Sequence, residues 1–434
     1  MSSLISRLSV LGFLSFLAIL LLAVYETQIA QLNEYMGYRI FAVDVVYIVS
    51  SVLAIFIVGL LIPVVIRRPS DFFILIYALF ILLPYAVLYP IRGAVELHIF
   101  IANFFILAMP FLTVSIVAKI LPSLRVPVFF TPRTLVNLLV MLCLVGVSLA
   151  LLDPPASAGF SMDNSYERRL QGRDIYSTGT FLAYLIAAIV NGFAPFLAFY
   201  AAWQKKVWLL MLSFFCGAAF FYLLGLKAPI LFIAVALVLG YLTRREQIDL
   251  MIKAIYFLLA AAFMFCIVEF FFYEYSYVAD YFIRRAFTVP PWLIAAYFEF
   301  MATSSTPAWQ SLQGVSSVEP ISMIVGEVFL GFPDLNANTN AFIYQLAAGG
   351  IPLYVLTILL VSFVYAVLDA TYKCRRNPAL IFLGFSYAIL LTEQAATTAL
   401  VSSGIGTLIF LAVFSGAGGR VIARASKRDE LIVT

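Results

Sequence analysis

Charged side chains are scarce in this chain, and long polar stretches are almost missing. Lys, Arg, Asp and Glu make up 11% of the 434 residues, while hydrophobic residues make up 64%. Soluble domains contain about a quarter charged residues and lack apolar runs of about 20 residues, the length that crosses a bilayer. The composition therefore excludes a soluble globular protein and predicts an all-α polytopic membrane protein.

Histidine, cysteine and phosphate-binding motifs are also rare or missing, and each gap argues against a class of chemistry. The single histidine, His98, argues against a histidine-based triad. Three of the four cysteines lie in apolar runs and Cys374 lies in a basic loop, so we expect neither a disulfide nor a zinc site. Without a glycine-rich phosphate loop or a basic stripe on a soluble domain, we expect no cofactor, no metal and no nucleic acid. An enzyme of this kind would use a donor that is already activated and lipid-soluble.

The apolar runs predict about 12 transmembrane helices in a single integral membrane domain, residues 1–434. The first run, Leu8 to Val24, ends without a cleavage site of small residues, so we interpret it as an uncleaved helix. The division between the seventh and eighth spans, at GLKAP (225–229), could also lie elsewhere. The predicted spans are roughly 8–25, 43–66, 72–90, 97–118, 134–152, 180–203, 207–225, 228–243, 253–272, 341–368, 378–393 and 404–419.

The distribution of basic residues predicts the orientation, because lysine and arginine collect on the cytoplasmic side. Eighteen of the 26 lie in one set of alternate connections or in the terminal segments, and eight lie in the other set. We therefore expect both termini in the cytoplasm and two large loops, about 153–179 and about 273–340, on the outer side. The second loop is too long for a mere connection and should contain short helices at the membrane surface.

Both outer loops hold a tight arginine cluster although their overall charge is acidic or neutral. In NSYERRLQGRDIYSTG (164–179), Arg169 and Arg173 are spaced i,i+4, which places them on one face of a helix with Arg168 beside them. In DYFIRRAFTVPP (280–291), Arg284 and Arg285 lie among aromatic residues. Guanidinium groups bind phosphate oxygens in bidentate geometry, so a phosphate site is one interpretation. The other is that these side chains reach lipid headgroups.

Polar residues also collect before the tenth span, in GEVFLGFPDLNANTNAF (326–342). Carboxylates there could take a proton from a hydroxyl group, and amides offer the donors and acceptors that sugars favour. The alternative is a turn and helix cap, which explains one of these residues but not all. The candidate bases are Glu327 and Asp334, and the candidate sugar ligands are Asn336, Asn338 and Asn340.

Two single ionisable residues lie at the outer ends of spans. Lys227 belongs to GLKAP, and Glu393 belongs to LLTEQAATT. Charges at that depth are costly unless they meet an anion, a partner or water, although a lysine can also extend to the interface. We add Lys227 to the candidate phosphate ligands and Glu393 to the candidate bases, with Asp334 ranked first among the three carboxylates.

Taken in order, several stretches resemble Wzy, the O-antigen polymerase family of lipopolysaccharide biosynthesis. The family also has an Arg-x10-Gly pattern in each large periplasmic loop. Arg168 and Gly179 match it, whereas the position eleven residues after Arg284 is Ala295. The stretches that carry the resemblance are IRRPSDFF (66–73), YERRLQGRDIYSTG (166–179), GLKAP (225–229), DYFIRRAFTVP (280–290), PDLNANTNAF (333–342) and TEQ (392–394).

The resemblance implies a GT-C-like, metal-independent glycosyltransferase of the bacterial inner membrane, with its active site facing the periplasm. Such an enzyme moves the growing polysaccharide from undecaprenyl pyrophosphate onto the next undecaprenyl-pyrophosphate-linked repeat unit. Arginines at the outer headgroup plane would then neutralise the leaving pyrophosphate. The implied partners are the lipid-linked oligosaccharide, membrane lipids, a Wzz-type chain-length regulator and a Wzx-type flippase.

Three other functions remain open from the residues alone. A lipid-linked oligosaccharide flippase or transporter should show two related halves and charges at the midplane, and neither is visible. An O-antigen ligase would use the same donor and pass it to lipid A-core, and only the resemblance separates it from a polymerase. A structural membrane scaffold is the third alternative.

Overall fold

Helices dominate the structure, a computed structural model that describes residues 2–161, 165–176, 179–303, 320–333 and 335–416. Within these ranges there is no β-strand, only one isolated bridge between Phe130 and Ser415. In the described part of the chain, eight helices are long and apolar enough to cross a membrane, and three more are apolar but shorter. The expected all-α polytopic membrane architecture is therefore confirmed.

The helices are numbered here in chain order. They are α1 (Ser2–Val24), α2 (Val45–Leu61), α3 (Pro69–Leu88), α4 (Leu97–Ile120), α5 (Pro132–Leu152), α6 (Ser165–Ile175), α7 (Phe181–Gln204), α8 (Val207–Leu224), α9 (Ala228–Arg244), α10 (Leu250–Tyr273), α11 (π-helical Ala279–Thr288 followed by Val289–Thr303), α12 (Ile321–Ile324, continued by the π turn Val325–Phe329), α13 (Ala341–Arg375), α14 (Pro378–Leu391), α15 (Ala396–Val401) and α16 (Ile405–Val413).

The number of membrane crossings stays a prediction. Eleven of the expected spans correspond to one long or short apolar helix each. The twelfth, 404–419, is represented by α16, whose nine residues are too few to cross alone. Its last residues, from 417 onward, lie outside the described part of the chain.

Two compact units make up the fold. The first comprises Met1–Ile120, Ile252–Ala366 and Ala388–Ala396, and the second comprises Leu121–Met251, Val367–Tyr387 and Thr397–Thr434.

Helix α3 forms the centre of the first unit, since 94% of its apolar stretch is buried. Its start is fixed by Asp71, whose carboxylate accepts from the backbone N–H groups of Arg67 and Arg68 at 2.8 and 3.1 Å. The ring of Phe73 packs against Phe342 and Tyr365, with centroids 6.1 and 5.2 Å apart. These contacts join α3 to α13 in one aromatic core.

Small residues bring helices into close contact in the second unit. A Cβ atom on Gly240 would collide with the carbonyl of Phe199, so glycine allows α9 to lie directly against α7. In the same unit, Gly172 of α6 lies directly against the side chain of Leu224, the last residue of α8. The short helix α6 is therefore held on the end of a long one.

Several local predictions are confirmed. Helix α8 ends at Leu224, with Gly225 in the left-handed conformation, and α9 begins at Ala228, so GLKAP does divide two helices. Helices do lie within both segments expected to be loops, α6 in the first and α11 and α12 in the second. Their position at the membrane surface stays a prediction. A break in α13 was not predicted: Gly349 and Gly350 have non-helical dihedral angles inside the tenth span.

Candidate functional site

The first arginine cluster lies on α6, and the structure corrects the expectation that its members share one surface. Arg168 is 1% exposed. Its guanidinium lies 5.5 Å from the ring centre of Phe221, and Nη2 donates to the carbonyl of Ser161 at 2.5 Å. Successive residues on a helix point about 100° apart, so Arg169 does not share the contact of Arg168 with Phe221. Arg168 therefore fastens α6 to α8 and is not free to bind a ligand in this conformation.

Arg169, in contrast, is exposed at a pocket of about 320 Å³ within the second unit. None of the described carboxylates forms a salt bridge with it. The described lining residues come from α6 and the residue after it, from α7, from the end of α8 and from the start of α9 with the turn between them: Arg169, Gly172, Tyr176, Ala183, Ile186, Ala187, Val190, Asn191, Leu224, Leu226, Ala228 and Pro229. Among the described residues, the guanidinium of Arg169 thus adjoins a mainly apolar cavity.

The other two basic candidates of this unit lie close by in sequence. Lys227 is exposed and is the N-cap residue of α9, between the pocket-lining residues Leu226 and Ala228. The backbone of Arg173 belongs to α6, one turn after Arg169, as predicted. The side chain of Arg173 lies outside the described part of the structure.

The second arginine cluster lies on α11 in the first unit, and its two members differ. Arg284 is tied to the protein: Nε donates to Oδ1 of Asp280 at 2.7 Å, and Nη1 lies 3.5 Å from the sulfur of Met36. Arg285 is exposed and pairs with none of the described carboxylates. The two arginines therefore differ: Arg284 is engaged by Asp280 of its own helix, and Arg285 is the accessible cation.

A third arginine site was missed by the sequence analysis. Arg92 follows α3, and its guanidinium binds Glu299 of α11 in bidentate geometry, at 3.0 and 2.8 Å. Its Nη2 atom also donates to the carbonyl of Phe329 at 2.7 Å. This clamp fixes α11 and the π turn after α12 to the loop before α4. Arg92 and Glu299 are 207 residues apart, so no local pattern could reveal the pair.

The three asparagines of the segment 336–340 differ in burial and in role. Asn340 is buried and caps α13, since Oδ1 accepts from the N–H groups of Phe342 and Ile343 at 3.1 Å. Asn336 and Asn338 are exposed and alternate with the buried residue Ala337. The predicted helix cap is therefore Asn340, which leaves Asn336 and Asn338 as the amides that a ligand can reach.

Contacts with α11 and α12 hold this segment in the first unit. The hydroxyl of Tyr297 in α11 donates to the carbonyl of Ala337 at 2.9 Å, and the N–H of Ala337 donates to the carbonyl of Ser322 in α12 at 3.0 Å. A Cβ atom on Gly326 would collide with the carbonyl of Leu335. The two exposed amides therefore project from a fixed backbone.

The three candidate bases have different environments. Glu327 is exposed in the π turn after α12. Glu393 lies in the turn that follows α14; its side chain is accessible, yet desolvation by the surrounding protein raises the pKa of its carboxyl above the ordinary value. Asp334, which the sequence ranked first, lies outside the described residues. Of the three candidate bases, Glu327 and Glu393 are therefore the two whose side chains are described and accessible.

The structure gives a physical reason for the uneven Arg-x10-Gly pattern. Gly179 has φ of +96°, a conformation that favours glycine, in the connection between α6 and α7. The corresponding Ala295 lies inside the helical part of α11, Val289–Thr303, where no glycine is required. The second copy can therefore lack its glycine without strain.

The candidates fall into two sets, one in each unit. The second unit contains Arg168, Arg169, Arg173 and Lys227, and the first contains Arg284, Arg285, Glu327, Asn336, Asn338, Asn340 and Glu393. Among the described residues, no group of three or more His, Cys, Asp and Glu side chains could hold a metal ion. Comparison of the chain with protein families, with curated proteins and with solved structures finds no match.

Proposed function

We propose that this protein is a Wzy-type O-antigen polymerase, a GT-C-like glycosyltransferase with twelve spans in the bacterial inner membrane. Both termini lie in the cytoplasm, and the active site faces the periplasm. The enzyme transfers the growing polysaccharide from undecaprenyl pyrophosphate to the next lipid-linked repeat unit. A Wzx-type flippase delivers that unit, and a Wzz-type regulator sets the chain length.

The observation that carries the proposal is the placement of Arg169 at an apolar pocket. A lipid-linked pyrophosphate combines an apolar chain with a concentrated negative charge. The pocket of about 320 Å³ suits the apolar chain, and the exposed guanidinium of Arg169 suits the negative charge. Arg285 and Lys227 are further exposed cations in segments that the charge distribution assigns to the same side of the membrane.

Glu393 acts as the general base, a role that the arginines cannot take. An oxygen of the acceptor sugar attacks the anomeric carbon of the donor, whose bond to the pyrophosphate oxygen breaks. Glu393 takes the acceptor proton, and a raised pKa brings a carboxylate closer to the range that suits a general base. The pyrophosphate leaves with the bonding electrons, and Arg285, which belongs to the same unit as Glu393, stabilises its charge.

The acceptor sugar is held by the exposed amides Asn336 and Asn338. Each amide offers both donors and acceptors, which match hydroxyl groups. Their rigid backbone supports this role, because a preorganised contact costs less ordering on binding.

Deletion of the gene, followed by gel analysis of the surface polysaccharide, tests the proposal. We expect the ladder to shrink to core plus one repeat unit, because ligation continues without polymerisation. A ladder reduced to bare core would instead indicate a ligase or a flippase and contradict the proposal.

A transporter is the second candidate, and one observation favours it. Helix α13 is broken at Gly349 and Gly350 inside an apolar span, and discontinuous helices form the binding sites of many transporters. The same gel analysis of the deletion strain distinguishes the two functions, since loss of a flippase leaves no repeat unit on the core.

A further inference from the structure

Basic side chains collect where α7 and α9 end and α8 begins, at the opposite end of α7 from the pocket beside Arg169. Lys205 and Lys206 form the turn between α7 and α8, and Arg244 and Arg245 lie at the end of α9. Lys205, Lys206 and Arg245 are exposed, and Arg244 is partly buried. All four belong to the second unit, and together they are called the basic cluster below.

Contacts with the protein fix the two arginines of the basic cluster. Nη1 of Arg244 donates to the carbonyl of Ala202 in α7 at 3.2 Å, which joins the end of α9 to the end of α7. The guanidinium carbons of Arg244 and Arg245 lie 5.0 and 5.4 Å from the ring centre of Tyr241. A guanidinium held over a ring keeps N–H groups free at its edge, so the two arginines are preorganised to bind an anion.

Exposed apolar and aromatic side chains adjoin these cations. The ammonium of Lys206 lies 5.6 Å from the ring centre of Tyr200. The next two residues, Val207 and Trp208, are 70% and 53% exposed, and Tyr241 is 44% exposed. Exposed aromatic residues at the end of an apolar helix are typical of the membrane–water interface. The surface therefore offers cations for a headgroup and apolar groups for the chains below it.

The basic cluster lies at the depth of lipid headgroups. Helices α7 and α8 are both long and apolar enough to cross a membrane, and the cluster occupies the turn that joins them. The distribution of basic residues assigns this end to the cytoplasmic side, whose leaflet is rich in anionic lipids. A soluble anion would make no use of the exposed Val207 and Trp208.

We propose that the basic cluster binds an anionic phospholipid of the cytoplasmic leaflet, one that carries two phosphates. The cations form two pairs, one in the α7–α8 turn and one at the end of α9, so each pair meets one phosphate. Two exposed carboxylates, Glu246 and Asp249, follow α9, and the four cations outnumber them. This site is separate from the proposed substrate pocket and does not depend on the proposed function.

Titration of the purified full-length protein with cardiolipin, followed by native mass spectrometry, tests the proposal. Lys206→Gln combined with Arg245→Gln removes one cation from each pair and should weaken binding about tenfold. Arg125→Gln combined with Arg133→Gln is the matched control, because both are exposed cations of the same unit that lie outside the cluster. The control should bind within about twofold of the wild type, since it changes the net charge equally but leaves the cluster intact.

The lipid probes give a second comparison. Phosphatidylglycerol, with one phosphate charge, should bind more weakly than cardiolipin, and phosphatidylethanolamine should bind weakest of the three. If the double variant fails to fold, Lys206→Gln and Arg245→Gln are measured singly, and each should weaken cardiolipin binding about threefold. Equal weakening by the cluster and control variants would overturn the proposal, because it would show only a general attraction to a basic surface. Equal affinity for cardiolipin and phosphatidylglycerol would overturn the two-phosphate assignment.

Discussion

Removal of the clamp between Arg92 and Glu299 should destabilise the first unit measurably. Three hydrogen bonds meet at the guanidinium, two to the carboxylate of Glu299 and one to the carbonyl of Phe329, with lengths of 2.7–3.0 Å. Arg92→Ala breaks all three, leaving a carboxylate and a backbone carbonyl without their partner.

The expected coupling energy depends on how exposed the two side chains are to water. The Arg92 side chain is 15% exposed and that of Glu299 is 43% exposed. Hydrogen bonds to charged groups contribute about 1.5–3 kcal/mol each, whereas fully exposed ion pairs contribute about 0.2–1 kcal/mol. For this half-protected bidentate pair we expect a coupling energy of about 1–2 kcal/mol in a double-mutant cycle.

The assay is unfolding by SDS in mixed micelles, applied to the wild type, Arg92→Ala, Glu299→Ala and the double variant. The matched control is the cycle for Glu96 and His98, whose side chains contact at 3.2 Å but are both 75% exposed. That cycle should give less than about 0.5 kcal/mol. Equal coupling energies in the two cycles would refute the claim that the clamp supports α11.

Further predictions concern local conformation and proton transfer. Gly179→Ala should lower the free energy of unfolding by about 1–2 kcal/mol because φ is +96°, and Ala295→Gly by about 1 kcal/mol because it lies in a helix. Asn340→Ala should lower it by about 1 kcal/mol through the lost cap. Asn338→Ala should instead leave unfolding unchanged and reduce polymer on gels. Polymerisation by purified protein should rise with pH as Glu393 loses its proton, with a midpoint above the ordinary glutamate range because its pKa is raised; Glu393→Gln should abolish that rise.

Hydrophobic patterning predicted most of the helices, because apolar length alone fixes where a chain can cross a bilayer. The division at Gly225 was predictable for a second reason, since glycine and proline end and start helices. The break at Gly349 and Gly350 also had a signal, the sequence Gly-Gly-Ile-Pro within an apolar run. Because the flanking residues form one continuous apolar run, the segment was predicted as a single unbroken span.

The candidate site was only partly predictable. Residue type identified Arg168 and Arg169 as possible ligands, but the direction of each side chain depends on how α6 packs on α8. Arg168 is buried in the structure, and Arg284 is bound by Asp280, so neither is free in the way that residue type alone suggested. The clamp of Arg92 depends on a contact between distant segments, for which a single sequence carries no local signal.

Reconstitution of the purified protein with lipid-linked repeat units tests the central claim most directly. Liposomes that contain only this protein and undecaprenyl-pyrophosphate-linked units, with a chelator and without nucleotide sugars, should yield polymers of many units. Arg169→Ala and Glu393→Gln should yield little polymer. Tyr184→Trp should match the wild type, because Tyr184 of α7 is 45% exposed and does not line the pocket. Single repeat units that stay unchanged in the presence of folded wild-type protein would contradict the proposal that this chain polymerises them.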